Sequence, residues 1–195
     1  EGRPAPALPA RGQEALSMAE AAAAEPGPGF EPEPERREVG VIDIGSNSVR
    51  LVQFRLEGRA LWPVFNEKTM AGLGRGMGET GRLSPEGVDA AMRTLRRFCA
   101  LLDARDVSDR RAVATAAVRD AVDGPDFIAR VRRATGLEIE VLDGAEEGRL
   151  SALGVLAGVG DAHGIAGDLG GSSLELTPVS GRRASDAISL PLGPL

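Results

Sequence analysis

"VGVIDIGSNSVRLVQF", residues 39–54, is the stretch on which the reading of this chain turns, because "IAGDLGGSSLELTPV", residues 165–179, restates it. Asp43, Gly45, Ser48 and Leu51 align with Asp168, Gly170, Ser173 and Leu176 at a constant offset, 168 − 43 = 125 residues, without a gap. In each copy an apolar, β-branched run ends on Asp, passes a tip of small residues and resumes as a strand. The tips are Gly45-Ser46-Asn47 and Gly170-Gly171-Ser172. Small residues there leave backbone N–H groups free to wrap a phosphate. Two such tips facing each other would grip one phosphate chain from both sides, with Asp43 and Asp168 directed at a metal or a water.

Outward from the first copy, "VGVID", "SVRLVQFRL" and "ALWPVFNEKT" predict a three-stranded meander, on which Trp62 and Phe65 are expected in the core. "GLGRGMGETGRL" predicts a Gly-rich surface loop. It is no dinucleotide-binding loop, since it does not join a strand to a helix within a βαβ unit. Ser84-Pro85 opens a helix, with Ser at the cap and Pro at the first helical position. Val88, Ala91, Met92, Leu95, Phe98, Cys99 and Leu102 recur along it at three- and four-residue steps, one buried stripe. A strand "RAVATAA", a helix from Pro125 to Thr135 closed by Gly136, a strand "LEIEVL" and a helix from Ala145 to Ala157 follow. The second copy then gives "GIAGDLG", "SSLELTPVS" and "GRRASDAISLPL", again three strands. Strands, then alternating strands and helices, then strands again indicate an α/β protein of two related halves.

Composition narrows the function classes. The net charge is −6, but residues 1–38 hold eight Glu and four Arg, so the other 157 residues stand at −2. No basic nucleic-acid surface is implied by that balance. Of 23 basic residues only Lys68 is not Arg, as a GC-rich bacterial genome produces. A single Cys99 in an apolar stripe, no apolar run of roughly 20 residues and no signal peptide imply a reducing, cytoplasmic compartment and no membrane. Residues 1–38 carry seven of the thirteen prolines with repeated Ala and Glu, the composition of a disordered leader, and a translation start at Met18 is expected. His163 has no partner at a ligand spacing and is expected to be a solvated loop residue.

"VGVIDIGSNSVRLV", "NEKTMAGLGRGM", "ATAAVRDA", "GPDF", "GAEEGRLSALGV" and "GDLGGSSLEL", in this order, resemble the exopolyphosphatase and guanosine pentaphosphate phosphohydrolase family (Ppx/GppA) of the actin-like ATPase superfamily. The resemblance runs from Val39 to the last residue. It implies an actin-like (ribonuclease H-like) fold: a complete first domain over 39–157 and the start of a second over 158–195, the chain being expected as either a fragment of a longer protein or a truncated relative. It implies phosphate binding by Asp43, Gly45, Ser46, Asn47, Ser48, Arg50, Arg119, Gly170, Gly171, Ser172 and Ser173. Mg²⁺ or another divalent cation is implied at Asp43, Asp168 and Glu175, and Glu147 as catalytic base. The substrates implied are inorganic polyphosphate and pppGpp, with a homodimer as an assembly to test.

The residues agree with that chemistry. Removing the terminal phosphoryl group of a condensed phosphate is largely positioning and charge stabilisation. Arg50 and Arg119 offer forked donors to phosphate oxygens, and Glu147 would take a proton from the attacking water. Glu146 is the competing base. At a helix N-terminus the dipole lowers a carboxyl pKa, against what a base requires. Two departures from the family matter. Ser172 and Leu174 stand where the second loop usually reads Gly and Thr, which leaves open a non-hydrolytic polyphosphate or (p)ppGpp binding module, with an actin-like phosphotransferase as a further alternative.

Overall fold

The computed structural model describes residues 37–58 and 60–194. The expected leader up to residue 36 and the start at Met18 lie outside the described residues. Arg37 and Glu38, placed in that leader by composition, belong to β1 (Arg37–Ile44) instead. They pair with Leu56 and Arg55, and Glu38 accepts a hydrogen bond from Arg55 Nε at 2.8 Å.

β1, β2 (Ser48–Glu57) and β3 (Ala60–Met70) form the predicted meander. β4 (Asp109–Ala114) and the two-residue β5 (Glu140–Val141) add to β1 in parallel, giving the order β3-β2-β1-β4-β5. "RAVATAA" is therefore only partly strand. Its end turns at Thr115 into the short helix α3 (Ala116–Asp120), preceded in the chain by α1 (Met77–Thr80) and α2 (Pro85–Asp103).

Ser84 caps α2 by accepting from Gly87 N, a bond worth about 1 kcal/mol. The α2 stripe packs with α4 (Gly124–Thr135) on Ile42, Ile44, Val49, Leu51, Ala112 and Ala114, and each fully buried large side chain contributes about 1.5–3 kcal/mol. Gly136 closes α4 in the left-handed conformation, φ 70°.

Trp62 is 57% exposed and not in the core. β3 is the sheet edge; Phe65 is the residue that reaches the core, with the Arg105 guanidinium 4.7 Å over its ring, and Trp62 lies past it.

The second sheet has β7 (Leu174–Gly181) at its centre, with β6 (Ala162–Leu169) on one side and β8 (Arg183–Ala184) and β9 (Ile188–Leu190) on the other. "GRRASDAISLPL" thus makes two short strands where one was expected. His163 is exposed as expected, but it lies in β6, opposite Ser180, and not in a loop. α5 (Gly144–Gly158) packs on β7, with Asp143 as its cap, accepting from Glu146 N at 2.8 Å. A Cβ on Gly148 would stand 3.2 Å from Glu175 Cβ, so the glycine is what brings helix and strand together. Among the described residues no helix is long and apolar enough to cross a membrane.

Candidate phosphate cleft

The two repeated hairpins close in the same way. Gly45 N donates to Ser48 O at 2.9 Å, and Gly170 N to Ser173 O at 2.9 Å, positions that again differ by 125. Asp43 faces Arg50 across its ladder, and Asp168 faces Glu175 across the other. The repeat is thus a repeat of backbone geometry, with opposite charges at the second matched position.

Both tips line one cleft of about 410 Å³. Asp43, Gly45, Ser46, Asn47 and Ser48 form one wall. Asp168, Gly170, Gly171, Ser172 and Ser173 form the other, with Glu147, Thr115 and Lys68 between them. Three expected residues, Arg50, Arg119 and Glu175, stand apart from that lining. Arg50 is exposed and donates from Nε to Asn66 Oδ1 at 3.0 Å. Arg119 is held by Asp120 Oδ1 at 2.9 Å and Leu142 O at 3.1 Å. Glu175 is 1% exposed, under the floor, where Oε1 accepts from Ser189 Oγ at 2.7 Å. Leu174 pairs with Leu169 and Leu190.

The segment expected as a surface loop is partly buried and supports the first tip. Leu73 is fully buried. Ala71 N and Gly72 N donate to Asn47 O at 3.0 and 2.9 Å, and Gly74 N to Ser46 O at 2.8 Å. In a trans peptide the C=O and the following N–H point opposite ways. Holding the Ser46 and Asn47 carbonyls from behind therefore turns the amides of Asn47 and Ser48 away from residues 71–74, as an anion site requires. Gly72, at φ 71°, and Gly74, where a Cβ would stand 3.1 Å from Ser46 Cβ, make the approach feasible. The glycines were the available signal, but only the fold shows what they approach. Lys68 was missed as well. It enters the cleft because its register sets it opposite Arg50.

Burial raises the Glu147 carboxyl to about 7; the charge of Glu175 adds to this, Arg119 opposes it and Asp168 adds again. The helix dipole does not prevail. Glu147 Oε2 is buried without a hydrogen-bond partner, and Arg119 Nη1 lies 3.5 Å away, a charge contact only. Glu146 is separated from it. Both its oxygens accept from Arg149 at 2.7 Å, which holds its carboxyl below the usual range, and it lies on a different groove. Asp43 is raised by partial desolvation beside the neighbouring protein groups and then by the charge of Asp168, against Arg50 and Lys68. Ser151 Oγ donates to Asp168 Oδ2.

Among the described residues no three His, Cys, Asp or Glu side chains converge as a metal site. Mg²⁺ needs fewer: one or two carboxylates, with phosphate oxygens and water completing its shell. Asp43 and Asp168, both on the cleft, with the charge of Asp168 felt at Asp43, fit that requirement; buried Glu175 does not reach it.

The profile of the Ppx/GppA phosphatase family matches residues 41–195. Exopolyphosphatase 1 of Mycobacterium tuberculosis (strain ATCC 25618 / H37Rv) is 34% identical over 158 residues, 80% of this chain and 46% of that protein. The crystal structure of the Aquifex aeolicus Ppx/GppA family member is similar at TM-score 0.73 and 34% identity, over 80% of this chain and 52% of that one. That of an exopolyphosphatase from Cytophaga hutchinsonii ATCC 33406 gives 0.76 and 31%, over 80% and 51%. The fold is accordingly actin-like, and the chain spans about half the length of the curated relatives it matches.

Proposed function

Since the chain belongs to the Ppx/GppA phosphatase family, we propose that its cleft holds the end of an inorganic polyphosphate chain and that Glu147 activates the water that removes the terminal phosphoryl group. The observation that carries this is Glu147, a carboxyl raised to about 7, in the lining shared by two matched phosphate tips. The water oxygen bonds to the terminal phosphorus, its proton passes to the Glu147 carboxylate, and the bridging P–O bond breaks. Inorganic phosphate and a chain one unit shorter leave. A carboxyl near 7 is matched to this work at neutral pH.

The tips, with their forward amides and the hydroxyls of Ser46, Ser48 and Ser173, orient the phosphates, and Lys68 supplies the cleft's own cation. Arg119 holds Glu147 in place by charge; Arg50, beside Lys68, is placed to meet the chain where it leaves the cleft. Mg²⁺, held by Asp43 and Asp168, would neutralise charge on the phosphate oxygens. The 5′-triphosphate of pppGpp ends in the same phosphoanhydride and is a second substrate of the same class.

The test is phosphate release from long-chain polyphosphate with Mg²⁺, comparing this chain, the product of the whole gene and its Glu147→Gln variant. The expected outcome is a loss of about 10²–10⁴-fold in rate with polyphosphate binding retained. An active variant would remove Glu147 from the role of base. Tight binding without hydrolysis in every protein would establish a binding module instead.

A further inference from the structure

Ser172 Oγ donates to Ser46 Oγ at 2.8 Å, a side-chain bond that joins the tip of one phosphate hairpin to the tip of the other, 126 residues away in sequence. Ser46 is only 4% exposed. We propose that Ser172 is a latch across the cleft: it ties the second tip to the first, and a phosphate chain seats between the tips only by displacing that bond. The inference rests on the phosphate reading of the cleft and adds a determinant of affinity to it.

Three observations support a latch over a plain phosphate donor. First, the Ser172 hydroxyl has a single proton and donates it to Ser46 Oγ, so it has none to give an anion while that bond stands. Two O–H donors, each about 2.6 Å from one phosphate oxygen, stand roughly 4 Å apart when they approach along separate lone pairs. The tips must part by about 1 Å or more before a phosphate oxygen fits between them.

Second, neither partner can sink back. Ser46 is backed by Gly74, whose N–H holds the Ser46 carbonyl at 2.8 Å and whose Cβ, if present, would stand 3.1 Å from Ser46 Cβ. Ser172 is backed by Gly193, where a Cβ would fall 2.3 Å from Ser172 Cα. Opening is therefore a movement of the hairpins relative to each other, with the Ser172–Ser46 bond opposing it.

Third, the bond depends on a side chain at Ser172. A glycine in that place keeps the backbone amides of the tip but has nothing to reach Ser46. The hydroxyl is thus separable from the phosphate-wrapping backbone, and its removal isolates the latch.

The experiment is calorimetric titration of magnesium tripolyphosphate into the 195-residue chain and its Ser172→Ala, Ser172→Gly, Ser172→Thr and Ser46→Ala variants, with unfolding midpoints measured alongside. Removing one intramolecular hydrogen bond that binding must break is expected to tighten Kd by about 3- to 10-fold in Ser172→Ala and Ser172→Gly. Ser172→Thr, which retains a hydroxyl, should bind like the parent. Ser46→Ala breaks the same bond but deletes a donor of the first tip, so it should not tighten. Merely loosening the fold would weaken binding, so tightening reports the latch.

Weaker binding by Ser172→Ala would make Ser172 a direct phosphate donor and overturn the proposal. Unchanged binding would overturn it too, leaving the bond without weight. If neither the parent nor any variant binds tripolyphosphate, the phosphate reading of the cleft fails and the latch with it, a result distinct from either of the others.

Discussion

Replacing Glu147 by Gln is expected to stabilise the folded chain at alkaline pH while removing the proposed base. In the folded chain Glu147 holds its proton up to about 7, whereas its ordinary value is 4.5. Burial is the main cause, Glu175 on β7 and Asp168 on β6 add to it, and Arg119 on α3 opposes it. Between pH 4.5 and 7 the folded chain therefore binds more protons than the unfolded one. Stability falls as pH rises through that window and is level above it. The interval, 7 − 4.5, is about 2.5 pH units. At 1.36 kcal/mol per unit it is worth at most about 3 kcal/mol. With 14% of the side chain still exposed to water, about 1–3 kcal/mol is expected. Gln is neutral at every pH and escapes the penalty. Urea unfolding of both proteins at pH 5.5, 7 and 8.5, in chelator-treated buffer, measures the difference. It should grow in favour of Glu147→Gln toward pH 8.5. A flat difference, or a variant that becomes relatively less stable with rising pH, would show that Arg119 keeps the carboxylate charged and would refute the reasoning.

Three further outcomes follow from the same geometry. The acid limb of kcat/KM for phosphate release should have its midpoint near 7, activity rising with pH as Glu147 loses its proton; Glu175→Gln should move that limb to lower pH, and an unmoved midpoint would remove Glu175 from the account. Gly148→Ala should destabilise the chain by about 1–3 kcal/mol, because its Cβ would stand 2.7 Å from Ala187 Cβ and 3.2 Å from Glu175 Cβ; parent-like stability in urea would mean that α5 has room to move. Chelation of divalent cations should abolish phosphate release and added Mg²⁺ restore it, whereas release that continues in chelator would count against a metal between Asp43 and Asp168.

Much of the fold was legible because its signals are local. The Ser84-Pro85 start of α2, its apolar stripe and the Gly136 stop of α4 are written in neighbouring residues, and each matches an observed cap or core contact. Where the reading failed, the deciding partner was distant in sequence. Trp62 reads as core from its strand, but its burial depends on where the cover over an edge strand ends. "GLGRGMG" reads as surface, but its glycines are needed where Gly74 meets Ser46.

The same division holds for the site. The repeat at an offset of 125 determined by itself that two Asp-Gly-Ser hairpins would be built alike, because turn geometry follows from the few residues that make the turn. That they share one cleft, that Lys68 enters it, and that Glu147 and not Glu146 faces it were decided by tertiary structure. So was the proton affinity of Glu147. The helix end would lower it, but burial and a carboxylate on another strand raise it. Those are properties of the space around the group, and a sequence orders residues along a line without fixing which of them exclude its water.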